Sequence, residues 1–199
     1  MSEALTVDLF AEDRAHEEFI KAVIQRLAQE AGREIRQHVR SARGGHGRAV
    51  SEFKAYQASV RDGIGGLRLP DVVCVAIDAN CKRFTAAKKS LEEAILDPFK
   101  GRVIIACPDP HIERWYMSDP ESFYKVVGAK PKVTKRKCRR DLYKRELARA
   151  VKEGGHPPTL GGIEFAAEIV AAMDLYKAGK SEPSLKHFIQ GVLQRFKLA

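Results

Sequence analysis

What this chain lacks narrows its function before anything it contains does. No run approaches the roughly 20 apolar residues of a membrane helix. The opening MSEALTVDLF has neither the basic nor the apolar region of a secretory signal. A soluble, cytoplasmic protein is therefore expected. The four cysteines, Cys74, Cys81, Cys107 and Cys138, show no CxxC spacing. Two of them sit in apolar runs, where cysteine acts as a small hydrophobe, so neither a zinc site nor a disulfide is expected. GxSxG, HExxH and a Cys/His nucleophile arrangement are all missing. The glycines of Gly44–Gly47 and Gly63–Gly66 lack the GxxxxGK[ST] frame and read as flexible loops, which leaves the chain without a nucleotide-hydrolysing P-loop.

The 199 residues are 44% hydrophobic and 31% charged, enough for one ordinary core with a small appendage. The net charge of +9 is concentrated in one place. Between Lys125 and Arg149 eleven Lys or Arg face two acids, Asp141 and Glu146, a local balance of +9 that leaves the rest of the chain neutral. Lys130, Lys132, Lys135, Arg136, Lys137, Arg139 and Arg140 are too dense for a balanced salt-bridged face. Such blocks bind phosphate backbones through counterion release. No base-reading motif accompanies them, so contact with DNA or RNA would be independent of sequence. A solvated or partner-binding helix is the simpler alternative.

Periodicity organises the chain. LTVDLFAE (Leu5–Glu12) reads as a strand ending on an acid, and Phe19, Ile20, Val23, Ile24, Leu27 and Ala28 then recur at helical spacing behind Asp13 as N-cap. Arg33–Ala42 reads as a second strand and Ala49–Arg61 as a helix. VVCVAID (Val72–Asp78) is a buried strand, Lys82–Leu96 a helix, and Arg102–Pro108 a fourth strand. This alternation predicts an α/β domain on a mostly parallel sheet, with ligands gathering at the carboxyl ends of the strands, where Glu12, Asp78 and Asp109 fall. Beyond residue 110 the pattern becomes helical and ends on an apolar stripe from Leu185 to Phe196. The expected division is an α/β domain over residues 1–120 and a basic helical extension packed on it over 121–199.

Acids closing separate buried strands repel one another unless a cation lies among them. Mg²⁺ or Mn²⁺ suits such oxygen ligands. If the chain stays extended after Asp78, Asn80 faces the same way and supplies a second oxygen, with Glu12 opposite.

At this point the residues resemble a known family. FAEDRAHEEF and VAIDANC, 66 residues apart from Glu12 to Asp78, look like the two signature motifs of the TOPRIM domain. IIACPDPHIERWYMSD is similar to the Ile-Glu-x-Trp segment of small TOPRIM-like proteins of bacterial defence loci, among them the RloB-like and overcoming-lysogenization-defect groups. The resemblance covers about residues 4 to 120. It implies a Rossmann-like sheet and metal-dependent cleavage of nucleic-acid phosphodiesters, with Glu12 as metal ligand or acid-base, Asp78 as principal ligand, Asn80 in place of the pair's second acid, and Glu113 completing the cluster. It also implies an ATPase partner, since the chain has no motor of its own. Asn80 departs from the family's acid, and Asp13 stands where many relatives have glycine.

Simpler readings stand beside these. Glu12 and Asp13 could cap the first helix and Asp78 the next. Glu113 could pair with Arg114 at the surface, and Trp115 is expected to be a packing residue. His16, one helical turn from Glu12, could assist proton transfer, and His111 stands close to Glu113, but both read more simply as exposed histidines, and Asp109 and Asp119 as turn residues. A catalytically silent nucleic-acid-binding or adaptor module is the competing function. A phosphoacceptor domain would need a lysine after a later strand, which GRVIIACPDP does not offer.

Overall fold

The structure is a computed structural model that describes residues 4–40, 44–132, 139 and 141–198. Four strands, β1 (Leu5–Ala11), β2 (Ile35–Val39), β3 (Val72–Ala76) and β4 (Val103–Ala106), form one sheet in the order β2-β1-β3-β4. Every pairing is parallel. The expected α/β class holds, with a Rossmann-like sheet and helices on both faces.

Side-chain alternation divides the core in two. Val7, Leu9 and Ala11 of β1, with Cys74 and Ala76 of β3, face helix α1 (Arg14–Glu30). Phe10, Val73, Val75 and Ile77 face the other way, against Phe53 of α2 (His46–Arg61) and Leu91 of α3 (Phe84–Glu92). The central strands are buried on both faces, which explains why VVCVA is apolar without a break. Asp8 is the exception, a buried carboxylate on the α2 side. Tyr56 donates its hydroxyl hydrogen to Asp8, and Arg40 (3.1 Å) and the His38 ring (3.1 Å) meet the same carboxylate.

The later helices are α4 (Glu113–Tyr116), α5 (Pro120–Val127), α6 (Leu142–Glu153), α7 (Ala166–Ala172), α8 (Leu175–Ser181) and α9 (Pro183–Leu198). They share the α1-side core through Leu147, Val151, Ile169, Phe188 and Phe196. Trp115 is a packing residue, as expected: it is fully buried, stacks on Phe188 at 5.7 Å and donates Nε1–H to Ser184 Oγ at 3.0 Å. Asp119 is more than a turn residue, because its carboxylate caps α5 and accepts the Asp174 N–H at 2.9 Å. The helical pattern after residue 160 contains α8, a short element separated from α9 only by Glu182 and too brief to show its own periodicity.

Cys74 and Cys107 are free and buried, as their apolar surroundings suggest. Cys81 is disulfide-bonded, against expectation. Pairing depends on the approach of two backbones in space, which sequence spacing does not report. Cys138 lies outside the described residues. Among those residues no helix is long and apolar enough to cross a membrane.

Phe19 joins α1 to α4 within the α1-side core. It is fully buried on α1, with ring centroids 4.8 Å from Tyr116 and 6.1 Å from Trp115. Phe19→Ala is expected to destabilise the protein by about 3–5 kcal/mol. The check is urea denaturation: the midpoint should fall with the slope unchanged. A loss below about 1 kcal/mol would mean that α1 and α4 do not depend on this contact.

Candidate metal centre

The sheet order reverses direction between β1 and β3: β2 lies to one side of β1, and β3 and β4 lie to the other. Crevices at such reversals are the usual ligand sites of open parallel sheets. Glu12 follows β1 and Asp78 follows β3, so the two acids flank the reversal. Register brings them together. Ala11 pairs with Ala76, the Glu12 N–H donates to the Ala76 carbonyl at 2.9 Å, and the Asp78 N–H donates to Glu12 Oε2 at 3.0 Å. The glycine loop closes the same corner, with the Gly45 N–H donating to the Glu12 carbonyl at 3.1 Å from a positive φ of 82°.

Two histidines hold Asp78. The His16 ring spans two acids, with Nδ1 2.8 Å from Asp13 Oδ1 and Nε2 3.0 Å from Asp78 Oδ1. His111 Nδ1 lies 2.9 Å from Asp78 Oδ2. Expectation is corrected here: His16 is fully buried and His111 half-buried, and both belong to the site. No motif announces them. The signal available was spacing, since Asp13 and His16 stand at i and i+3 on the first turn of a helix whose start is legible. His111 reaches Asp78 only through the turn after β4.

Asp13 does cap α1, accepting the His16 N–H at 3.1 Å, so the capping reading and the site reading are both true of one carboxylate. Asp78 caps nothing, because α3 begins at Phe84 with Arg83 as its N-cap. Asn80 is exposed, has φ of 54°, and donates its side-chain N–H to the Asp78 carbonyl at 3.3 Å. The strand has ended before it, so the extended geometry expected for the Asp78/Asn80 pair is absent. A left-handed φ suits asparagine better than most residues.

Glu113 opens α4 and is only 2% exposed. Its surface pairing with Arg114 is not found: Arg114 forms its ion pair with Glu182, and Glu113 Oε2 is buried with no hydrogen-bond partner among the described residues. Lys144 and Tyr143, at the start of α6, were not anticipated. Lys144 Nζ is 3.8 Å from Asp13 Oδ2, and the Tyr143 ring lies 6.0 Å from the His111 ring. A cavity of about 200 Å³ opens here, lined by Asp13, Arg14, Glu113, Lys144 and Gly161 among others.

The electrostatics follow from these contacts. Burial alone would raise the Asp78 carboxyl, but the charge of His16 and the hydrogen bond from His111 lower it below the usual range. Burial opposes the charged form of His16 too, yet the Asp78 charge and the hydrogen bonds to Asp13 and Asp78 raise it well above an ordinary histidine. Asp13 is likewise held low by His16 against its burial. The Asp78 hydrogen bond raises His111 despite burial. Glu113 goes the other way: burial, then the charge of Asp78, raises its carboxyl. Burial, then Asp78, Asp109 and Glu12, push the Cys107 thiol up to about 12, so it is no nucleophile near neutrality.

Glu12, His16 and Asp78 each offer a ligand atom within 4.8 Å of the others. This carboxylate and imidazole set fits a divalent cation. An all-oxygen Mg²⁺ site would draw on Glu12 and Asp78, leaving His16 as an outer partner.

The shifts set a pH window for the metal-free network. The share of His16 is fully present below the ordinary histidine pKa of about 6.5 and is lost as pH rises through its raised value. The shares of Asp13 and Asp78 are present above about pH 4 and are lost as pH falls through their lowered values. In chelator, the Tm difference between the native protein and His16→Gln should therefore be largest at about pH 4–6.5 and shrink on either side. Thermal unfolding across pH measures it; a difference that grows from pH ~7 to ~9 would contradict the assignment.

No curated protein and no solved structure matches the chain. One family does, and its match over residues 11–193 takes in the site residues, strands β2 to β4 and the C-terminal helices up to residue 193, with Ala11 alone from β1. The chain thus belongs to the family described as a domain of unknown function, DUF4276.

Proposed function

We propose that the protein is a metal-dependent phosphodiesterase of the TOPRIM-like kind that cleaves nucleic acid, acting alone or as the nuclease subunit beside an ATPase partner. The observation that carries this reading is the meeting of Glu12 and Asp78 across the β1–β3 reversal, 66 residues apart in sequence and joined by a 3.0 Å hydrogen bond. Two acids at one crevice, with a buried third carboxylate nearby, match what Mg²⁺ or Mn²⁺ requires to hold a phosphate.

Glu12 and Asp78 would hold the ion, with Asn80 at the rim and Glu113 behind. When bound, the metal would polarise the phosphate and supply a hydroxide nucleophile. Asp13 and His16 keep the Asp78 carboxylate fixed. Glu113 has a raised affinity for its proton and is suited to protonate the leaving oxygen. Lys144 brings a positive charge to the cavity mouth, where a substrate phosphate would lie.

Lys144 also supports contact with a nucleic-acid backbone, because α6 directly follows the basic segment. Of that segment, Lys130, Lys132 and Arg139 are exposed. Lys130 pairs with Glu121 at 2.6 Å. Lys135, Arg136, Lys137 and Arg140 lie outside the described residues.

Two measurements test the proposal. Nicking or degradation of plasmid DNA and structured RNA with Mg²⁺ or Mn²⁺ should fall by about 100-fold or more in Asp78→Ala and Glu12→Ala. Activity that survives both substitutions removes the site. No cleavage by the native protein under any metal, with binding retained, favours the silent adaptor instead. Charge reversal at Lys135, Arg136 and Lys137 should weaken binding to any sequence alike and reduce the salt slope by about 0.7–0.9 per lost phosphate contact. An unchanged slope would put the backbone contact elsewhere.

A further inference from the structure

The orientation of His16 identifies a ligand atom that the acids alone do not. Its ring is fully buried, Nδ1 faces Asp13 Oδ1 at 2.8 Å, and Nε2 points at Asp78 Oδ1 at 3.0 Å. A carboxylate on the far nitrogen is how metal-ligating histidines are oriented and held in one tautomer. The spacing suits shared coordination. Metal–nitrogen and metal–oxygen bonds of about 2.1 Å place neighbouring octahedral ligands about 3 Å apart. The His16–Asp78 separation has that value, and Glu12, His16 and Asp78 each offer a ligand atom within 4.8 Å of the others.

A second observation concerns the adjoining cavity, which Asp13 lines. Glu113 is 2% exposed, its Oε2 has no hydrogen-bond partner among the described residues, and it lines the cavity shared with Asp13. Burying a carboxylate oxygen without a donor beside Asp78 is unfavourable, and nearby positive charge offsets that penalty.

We propose that Glu12, His16 and Asp78 form a mixed nitrogen–oxygen centre for a first-row transition dication of the manganese-to-zinc class, with His16 Nε2 as a ligand and Asp13 as the carboxylate that orients it. This rests on the reading of the centre as a metal site and goes further by naming the ligand atom and the metal class. Mg²⁺ prefers an all-oxygen octahedron, whereas imidazole favours the transition metals. The competing account makes His16 a buried imidazolium tie between two carboxylates.

The test uses the full chain stripped with chelator and loaded with Mn²⁺, Co²⁺ or Mg²⁺. Pulsed electron paramagnetic resonance of bound Mn²⁺ should show coupling to one imidazole nitrogen. Coupling should persist in His111→Gln and vanish in His16→Gln. Asp13→Asn should keep the coupling and weaken Mn²⁺ affinity by about 10–100-fold in calorimetry. The native spectrum needs no variant, so a His16→Gln chain that fails to fold leaves the test intact. Bound Mn²⁺ with no nitrogen coupling, or coupling lost only in His111→Gln, overturns the His16 assignment while leaving an oxygen-ligated Mg²⁺ nuclease standing. If the folded native chain binds none of the three ions, the inference and the metal-site reading fall together.

Discussion

The parallel pairing of β1 with β3 is the constraint on which the site depends. Its register sets Ala11 beside Ala76; one residue beyond Ala11 the Glu12 N–H bonds the Ala76 carbonyl, and two beyond Ala76 the Asp78 N–H bonds the Glu12 carboxylate. A slip of one residue would move every buried side chain of the strand to the opposite face. The apolar faces that pack α1 on one side and α2 with α3 on the other therefore hold the acids in register. Core packing and site geometry are one requirement here, since the strands that are most buried are the ones that carry Glu12 and Asp78.

That arrangement also explains what could be read from the chain. Strand and helix periods were visible wherever a face is buried, so β1, α1, β3, β4 and the α9 stripe stand close to where the pattern places them. Glu12 and Asp78 were legible because each ends a buried run. The spacing set His16 one turn from Glu12, but a histidine beside Glu17 and Glu18 reads as solvated; it is fully buried and meets Asp78, 62 residues away. His111 and Lys144 arrive on connections whose course only the packed C-terminal helices determine. Asn80 misled in the opposite direction. The two-residue alternation holds only while the backbone is extended, and at φ of 54° it has ceased to apply.

The C-terminal helices do more than cover the sheet. α4 supplies Glu113, Trp115 and Tyr116 from a single turn: a carboxylate at the cavity and two rings in the core. The Tyr116 hydroxyl donates to the Ala15 carbonyl at 2.9 Å, tying α4 to the first turn of α1, where Asp13 and His16 stand. α6 then brings Tyr143 against His111 and Lys144 against Asp13. Residues from the α/β part and from the helical part meet around one crevice, so the helices belong to the site as much as the sheet does.

Charge balance finally connects the centre with the basic segment. Glu12, Asp13, Asp78 and Glu113 gather beside His16, His111 and Lys144, and close like charges in a partly dry crevice are unfavourable without such partners. In the metal-free protein the imidazoles meet that need through protons. A dication would meet it directly, and His16 could then ligate only after giving up the proton on Nε2, so protons and metal compete for one position. A phosphodiester arriving at the mouth adds negative charge where Lys144 already stands. The excess of Lys and Arg just before α6 is the part of the chain best suited to hold the rest of such a polymer. The chain's positive charge is thus concentrated in sequence next to the helix that reaches an otherwise acidic centre.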